Sequence, residues 1–281
     1  MTNKRILQLI LLILCSQISA LQWPVSVEYL ESCFLEDYNG EPFPGLIFSG
    51  YDSMRPFDFG ETIFRFTPGD YSALPPVEGS MLVLEHENGF QSIYTHISEE
   101  ETRADRTRLS EGEYLKSPED GPREGHSSFY IRDALQNQLV NPLILLPGMD
   151  DFYPPVIESV ILSDQEREYI LNNDLILPVG RYQVYIKGWD IHEAGRNRSP
   201  YEFSMYNLGT LQLKRVLDAV IQKDNDLYFQ DGVAVSSVFF RQGYLFLGDI
   251  SLTSGQAKLE VVMSDAQGNE DSTEYTIQVI R

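Results

Sequence analysis

Ser80 to Ile97 reads as a β-hairpin before anything else in the chain is considered. Two apolar runs rich in β-forming residues flank Asn88-Gly89, the dipeptide that best matches the left-handed backbone of a tight hairpin turn. Period two on the second run puts Tyr94 and His96 on one face and Ile93, Thr95 and Ile97 on the other. A second strand is predicted at His126–Arg132. There His126, Ser128 and Tyr130 share one face while Phe129 and Ile131 turn towards a core. Between the two lies a charged stretch, Ser98 to Glu124, read as loops with short strands and room for a helical turn at Glu99-Glu100-Glu101. With 16 Tyr and 15 Phe and no long helical run, the fold class is all-β.

A boundary falls near residue 150. Val140 to Gly148 closes one apolar segment, Met149 to Tyr153 and Pro154-Pro155 make a short stiff linker, and Val156-Ile157 begins a new pattern. Strand-like runs then recur between turn signals: Val156–Leu162, Asp174–Leu177, Tyr182–Trp189, Tyr201–Tyr206, Ala234–Phe240, Tyr244–Leu247, Lys258–Met263 and Tyr275–Ile280. This spacing predicts an immunoglobulin-like β-sandwich over 150–281. Two turns echo each other, one from Trp189 through Asp190 to Asn197 and one from Met263 through Asp265 to Asn269. Each precedes a Tyr-bearing strand. The ligand spacing of a dedicated calcium loop is missing from both, so they are read as strand connections, and no metal is assigned.

Residues 1–20 have the pattern of an export signal: Lys4-Arg5, an apolar run from Ile6 to Cys15, then a small residue at Ala20. The run is too short to span a bilayer comfortably and no second one follows. The expectation is therefore an exported protein, in the periplasm or at the cell surface, with no stable membrane span after cleavage. A retained anchor, or lipid on Cys15, are the alternatives. Losing residues 1–20 removes two basic residues and no acidic ones, leaving 19 against 42 and a net charge of −23. Such a surface repels nucleic acid. Cys33 then has no partner within the chain and is expected to be a buried thiol.

Glu85-His86-Glu87-Asn88-Gly89 and Tyr94-Thr95-His96-Ile97 resemble the "H-x-N-G" and "Y-A-H-L" of the LytM or lysostaphin-like peptidoglycan endopeptidases. Gly125-His126-Ser127-Ser128-Phe129-Tyr130-Ile131-Arg132 and Val140-Asn141-Pro142 follow in the family's order, in place of "H-L-H-F-E-I-R" and "V-N-P". The resemblance covers roughly residues 40–147. It implies a LytM-like β-sheet domain over 21–149, ahead of the sandwich. It also implies zinc chemistry, in which the metal lowers the pKa of bound water and polarises the scissile carbonyl.

Carried over residue by residue, the zinc ligands are missing. His96 matches the histidine of "Y-A-H-L" and His126 the first of "H-x-H", both vestigial catalytic positions. Ser128 stands at the third-ligand position. Residues 1–85 hold no histidine, so the family's upstream "H-x-x-x-D" cannot exist there. Zinc is therefore not expected, and the resemblance implies a non-catalytic binding or regulatory protein whose partner is peptidoglycan or an envelope protein. Its ligand groove would be lined by Tyr94, His96, His126, Ser128 and Tyr130. The two histidines could equally be leftover polar residues, or ligands of a rebuilt zinc endopeptidase site with Asp52, Asp58 or Glu124. A structural or surface-interaction protein acting through its immunoglobulin-like half is the third reading.

Overall fold

A computed structural model describes residues 21–67, 79–110, 112–116, 126–148, 151–164, 166–191, 197–198, 200–224, 226–239, 241 and 243–281. Residues 1–20, read above as an export signal, Glu124 and residues 192–196 lie outside them. The described chain is all-β, with short helices at Glu99–Arg103 and Val235–Val238. It divides into two compact units. The first holds residues up to Tyr29, Phe48–Phe129 and Leu145–Pro147. The second holds Leu30–Ile47 and Tyr130–Ile144 as well as everything from Gly148 onward.

The first unit is built on an antiparallel meander of Gly60–Phe66, Met81–Glu85 and Phe90–Thr95. The hairpin at Asn88-Gly89 is present, with Glu85 opposite Gln91. Its loop has an extra residue: the His86 N–H donates to the Phe90 carbonyl at 2.9 Å, and Gly89 takes the left-handed position at φ +82°, as three-residue hairpin loops require. Phe57, Tyr94 and Phe129, all fully buried, form the centre of this unit. The ring centroids of Tyr94 and Phe129 lie 5.4 Å apart and those of Phe57 and Phe129 6.1 Å apart. Burying side chains of this size contributes about 1.5–3 kcal/mol each.

The second unit is a β-sandwich. One sheet carries Glu168–Ile170, Val156–Ser163, Gly180–Ile191 and Leu245–Leu252 in that order. The other carries Ile176–Pro178, Glu270–Ile280, Gly255–Ser264, Glu202–Asn207 and Thr210–Val216. Alternate residues of both sheets enter one core, among them Val160, Leu162, Val184, Ile186, Leu259 and Val261. Gln138–Val140 pairs with Ala219–Lys223 beside them. The strand expected at Ala234–Phe240 is instead a helical turn, Val235–Val238. β-branched residues gave it a strand signal. Spacing of three, however, sets Val235 and Val238 side by side in the core, and that burial outweighs intrinsic preference. Cys33 is buried at 1% exposure.

Candidate functional site

The residues of the predicted groove occupy three different environments. Tyr94 is a core residue: its hydroxyl oxygen accepts the Phe57 N–H at 2.6 Å, and burial raises its pKa far above the usual phenol value. It lines no groove. The alternation that placed it beside His96 fails because the strand ends at Thr95 and His96 adopts a left-handed backbone at φ +53°. His is one of the few side chains that enter this region with any frequency. The turn lays the imidazole over Gly79, where an added Cβ would stand 2.5 Å from His96 Cδ2.

His96 and Ser127, the residue between His126 and Ser128, meet at the corner where Phe90–Thr95 ends and Ser127–Asp133 begins. Ser127 Oγ donates to the His96 carbonyl at 3.1 Å, and the Ser128 N–H donates to Thr95 Oγ1 at 3.1 Å. Both histidines and Ser128 are half-buried. Behind them, burial pushes the Tyr51 hydroxyl up to about 12, against an opposing pull from Ser127. Tyr130 belongs to the second unit. Its ring packs on Phe43 at 5.1 Å, and Phe43 packs edge-on against Tyr38 at 5.8 Å. Tyr38 and Phe43 help line a concavity of about 580 Å3, with Pro44, Leu227 and Phe239. The sequence reading missed this surface, since the residues come from three distant segments.

His86 is a structural histidine. It is buried at 3% exposure, with Nδ1 hydrogen-bonded to the Phe59 carbonyl and Nε2 to Ser92 Oγ, each at 2.8 Å. Burial pushes its pKa down, offset in part by the Phe59 bond and by Asp58 and Glu85.

The corner does not fit zinc. A catalytic zinc takes three protein ligands, and Ser128 offers a neutral hydroxyl in place of the third. Of the acids that could rebuild the set, Asp52 is exposed and Asp58 lies close enough to His86 to act on its charge. Among the described residues, three or more potential donors converge only at Asp151, Asp190 and Asp265, which includes neither His96 nor His126.

A protein-family model for a family of unknown function matches residues 154–280. No curated protein matches the chain. Among solved structures, one described as the extracellular domain of a one component system of B. thetaiotaomicron is similar at 10% identity and a TM-score of 0.26, covering 78% of this chain and 36% of its own. Another, the extracellular domain of a hybrid two component system of the same organism, is similar at 12% identity and a TM-score of 0.24, covering 90% of this chain and 30% of its own. The chain thus spans about a third of each, and likenesses this slight carry no functional argument.

Proposed function

We propose that this chain is an exported, non-catalytic binding protein of the cell envelope, and that the corner formed by His96, His126 and Ser128 engages peptidoglycan or an envelope protein. The supporting observation is the pairing of a kept framework with a lost donor set. The hairpin, the buried Tyr94 and the strand that begins just after His126 are present, while a half-buried serine stands where the resemblance puts the third ligand. Two imidazoles and a hydroxyl can hydrogen-bond amide and carboxylate groups of a peptide stem, without a metal to activate water. The N-terminal signal pattern supports placement outside the cytoplasm.

The test uses residues 21–281 without a histidine tag. Retention on purified sacculi, or capture of a defined envelope protein, should weaken at least tenfold in a His96→Ala/His126→Ala double variant, with no muropeptide release. Undiminished binding in that variant moves the site elsewhere. Chelator-sensitive muropeptide release would replace this reading with a rebuilt zinc endopeptidase.

A further inference from the structure

Asp151, Asp190 and Asp265 lie far apart in the sequence, yet each offers a carboxylate oxygen within 4.8 Å of the others. All three are buried, at 6%, 6% and 3% exposure. Asp151 sits in the segment leading into Val156–Ser163, Asp190 is the penultimate residue of Gly180–Ile191, and Asp265 directly follows Gly255–Ser264. The latter two strands belong to opposite sheets. The cluster therefore gathers the leading segment and both sheets at one end of the sandwich.

The turn at Asp265 is held by its own hydrogen bonds. Asp265 Oδ1 accepts the N–H groups of Gln267 and Asn269 at 2.9 and 2.8 Å. Its Oδ2 accepts Asn269 Nδ2 at 2.7 Å, and the same Nδ2 donates to the Asp151 carbonyl at 3.1 Å. Asp151 Oδ1 accepts the Tyr153 N–H at 3.0 Å. That leaves Asp151 Oδ2, which is fully buried and has no hydrogen-bond donor. A carboxylate oxygen in that state is costly unless a cation answers it.

We propose that Asp151, Asp190 and Asp265 form a calcium site that ties the leading segment of the sandwich to both of its sheets. The donors are hard oxygens, which select calcium or magnesium over zinc or copper. Calcium holds its oxygens at about 2.3–2.6 Å in flexible geometry, whereas magnesium demands a near-octahedral shell at about 2.0–2.1 Å and usually keeps several of its waters, so a cluster of three carboxylates suits calcium better. Calcium takes six to eight oxygens, so water completes the shell.

The test titrates calcium chloride into metal-stripped residues 21–281 by calorimetry and follows thermal unfolding with calcium, magnesium or chelator. One calcium should bind per chain, with a dissociation constant on the order of 10−4 M, as in extracellular modules. The melting temperature should climb with calcium concentration. Asp151→Asn should weaken binding at least tenfold and leave the calcium-free melting temperature unchanged or higher, because it relieves repulsion. Asp190→Asn should likewise weaken binding at least tenfold, and exposed Glu166→Gln should change nothing. No binding at about 10 mM calcium (100-fold above that constant), an equal response to magnesium, or an undiminished response in both Asp variants each overturns the proposal.

Discussion

Replacing Tyr94 by Phe separates a core role from a groove role for this residue. The substitution keeps the ring, and with it the packing on Phe129 at 5.4 Å, and removes only the oxygen. That oxygen accepts the Phe57 N–H at 2.6 Å, and Phe57 is fully buried. The N–H is thus left in the core with neither protein nor solvent acceptor. A buried donor abandoned in this way costs about 1–3 kcal/mol. With a urea dependence of about 1–3 kcal/mol/M, the unfolding midpoint should fall by roughly 1 M at unchanged slope. The chain has two tryptophans, and Trp23 lies in the first unit, with Nε1 donating to the Pro147 carbonyl at 2.9 Å. The measurement is therefore Trp23 fluorescence in a Trp189→Phe background. A midpoint shift equivalent to less than about 0.5 kcal/mol, the usual range for a surface change, together with weaker sacculus binding, would refute the core assignment and return Tyr94 to the groove.

Two further substitutions probe the units, one in each. Burial holds His86 below the ordinary histidine pKa in the folded chain, so the unfolded chain takes up the proton first. The stability His86 contributes is whole above about pH 6.5 and is lost as pH falls from there towards the folded value. His86→Gln should flatten the stability profile between about pH 7 and 5, and an unchanged slope would show that other groups set it. In the sandwich, a Cβ on Gly188 would stand 2.5 Å from Met263 Sδ and 2.8 Å from the Val156 carbonyl. Gly188→Ala should therefore cost about 1–3 kcal/mol, read from Trp189 fluorescence in a Trp23→Phe background. A neutral result would mean the strands separate there without penalty.

The sequence showed the fold best where burial on one face imposed alternation. The run predicted at Tyr182–Trp189 is the centre of Gly180–Ile191, and that at Lys258–Met263 is the centre of Gly255–Ser264. Thr210–Val216 alternates as well, but only weakly, because its residues are exposed or half-buried, and it passed unread. The site was less legible because one of its five predicted residues turns away at a strand end and another is placed by a contact distant in sequence. His96 leaves the strand in a left-handed turn, which no period-two argument foresees. Tyr130 continues its strand into contacts with Phe43, a residue far away in the sequence.

The same contrast separates scaffold from chemistry within the motifs that carry the resemblance. Tyr94 of the "Y-A-H-L" match holds the Phe57 backbone. Phe129 and Ile131 of the "H-L-H-F-E-I-R" match are fully buried. Asn141 of the "V-N-P" match donates Nδ2 to the Leu217 carbonyl at 2.8 Å and accepts the Leu143 N–H at 3.1 Å. Each of these residues satisfies a buried backbone group or fills a core, so each has a folding reason to be what it is. The departures from the motifs fall both at the third-ligand position, Ser128, and at Thr95 and Ser127, whose side chains bond neighbouring backbone groups. Conversely, the two echoing turns were visible as Asp-anchored strand connections, and Asp265 does anchor its turn by accepting Gln267 and Asn269. Their convergence on Asp151 was not visible, because the third carboxylate comes from the linker and only the packing of the two sheets brings it within reach. The arrangement with the clearest unmet chemical demand, the buried Asp151 Oδ2, thus lies outside every motif that carries the resemblance.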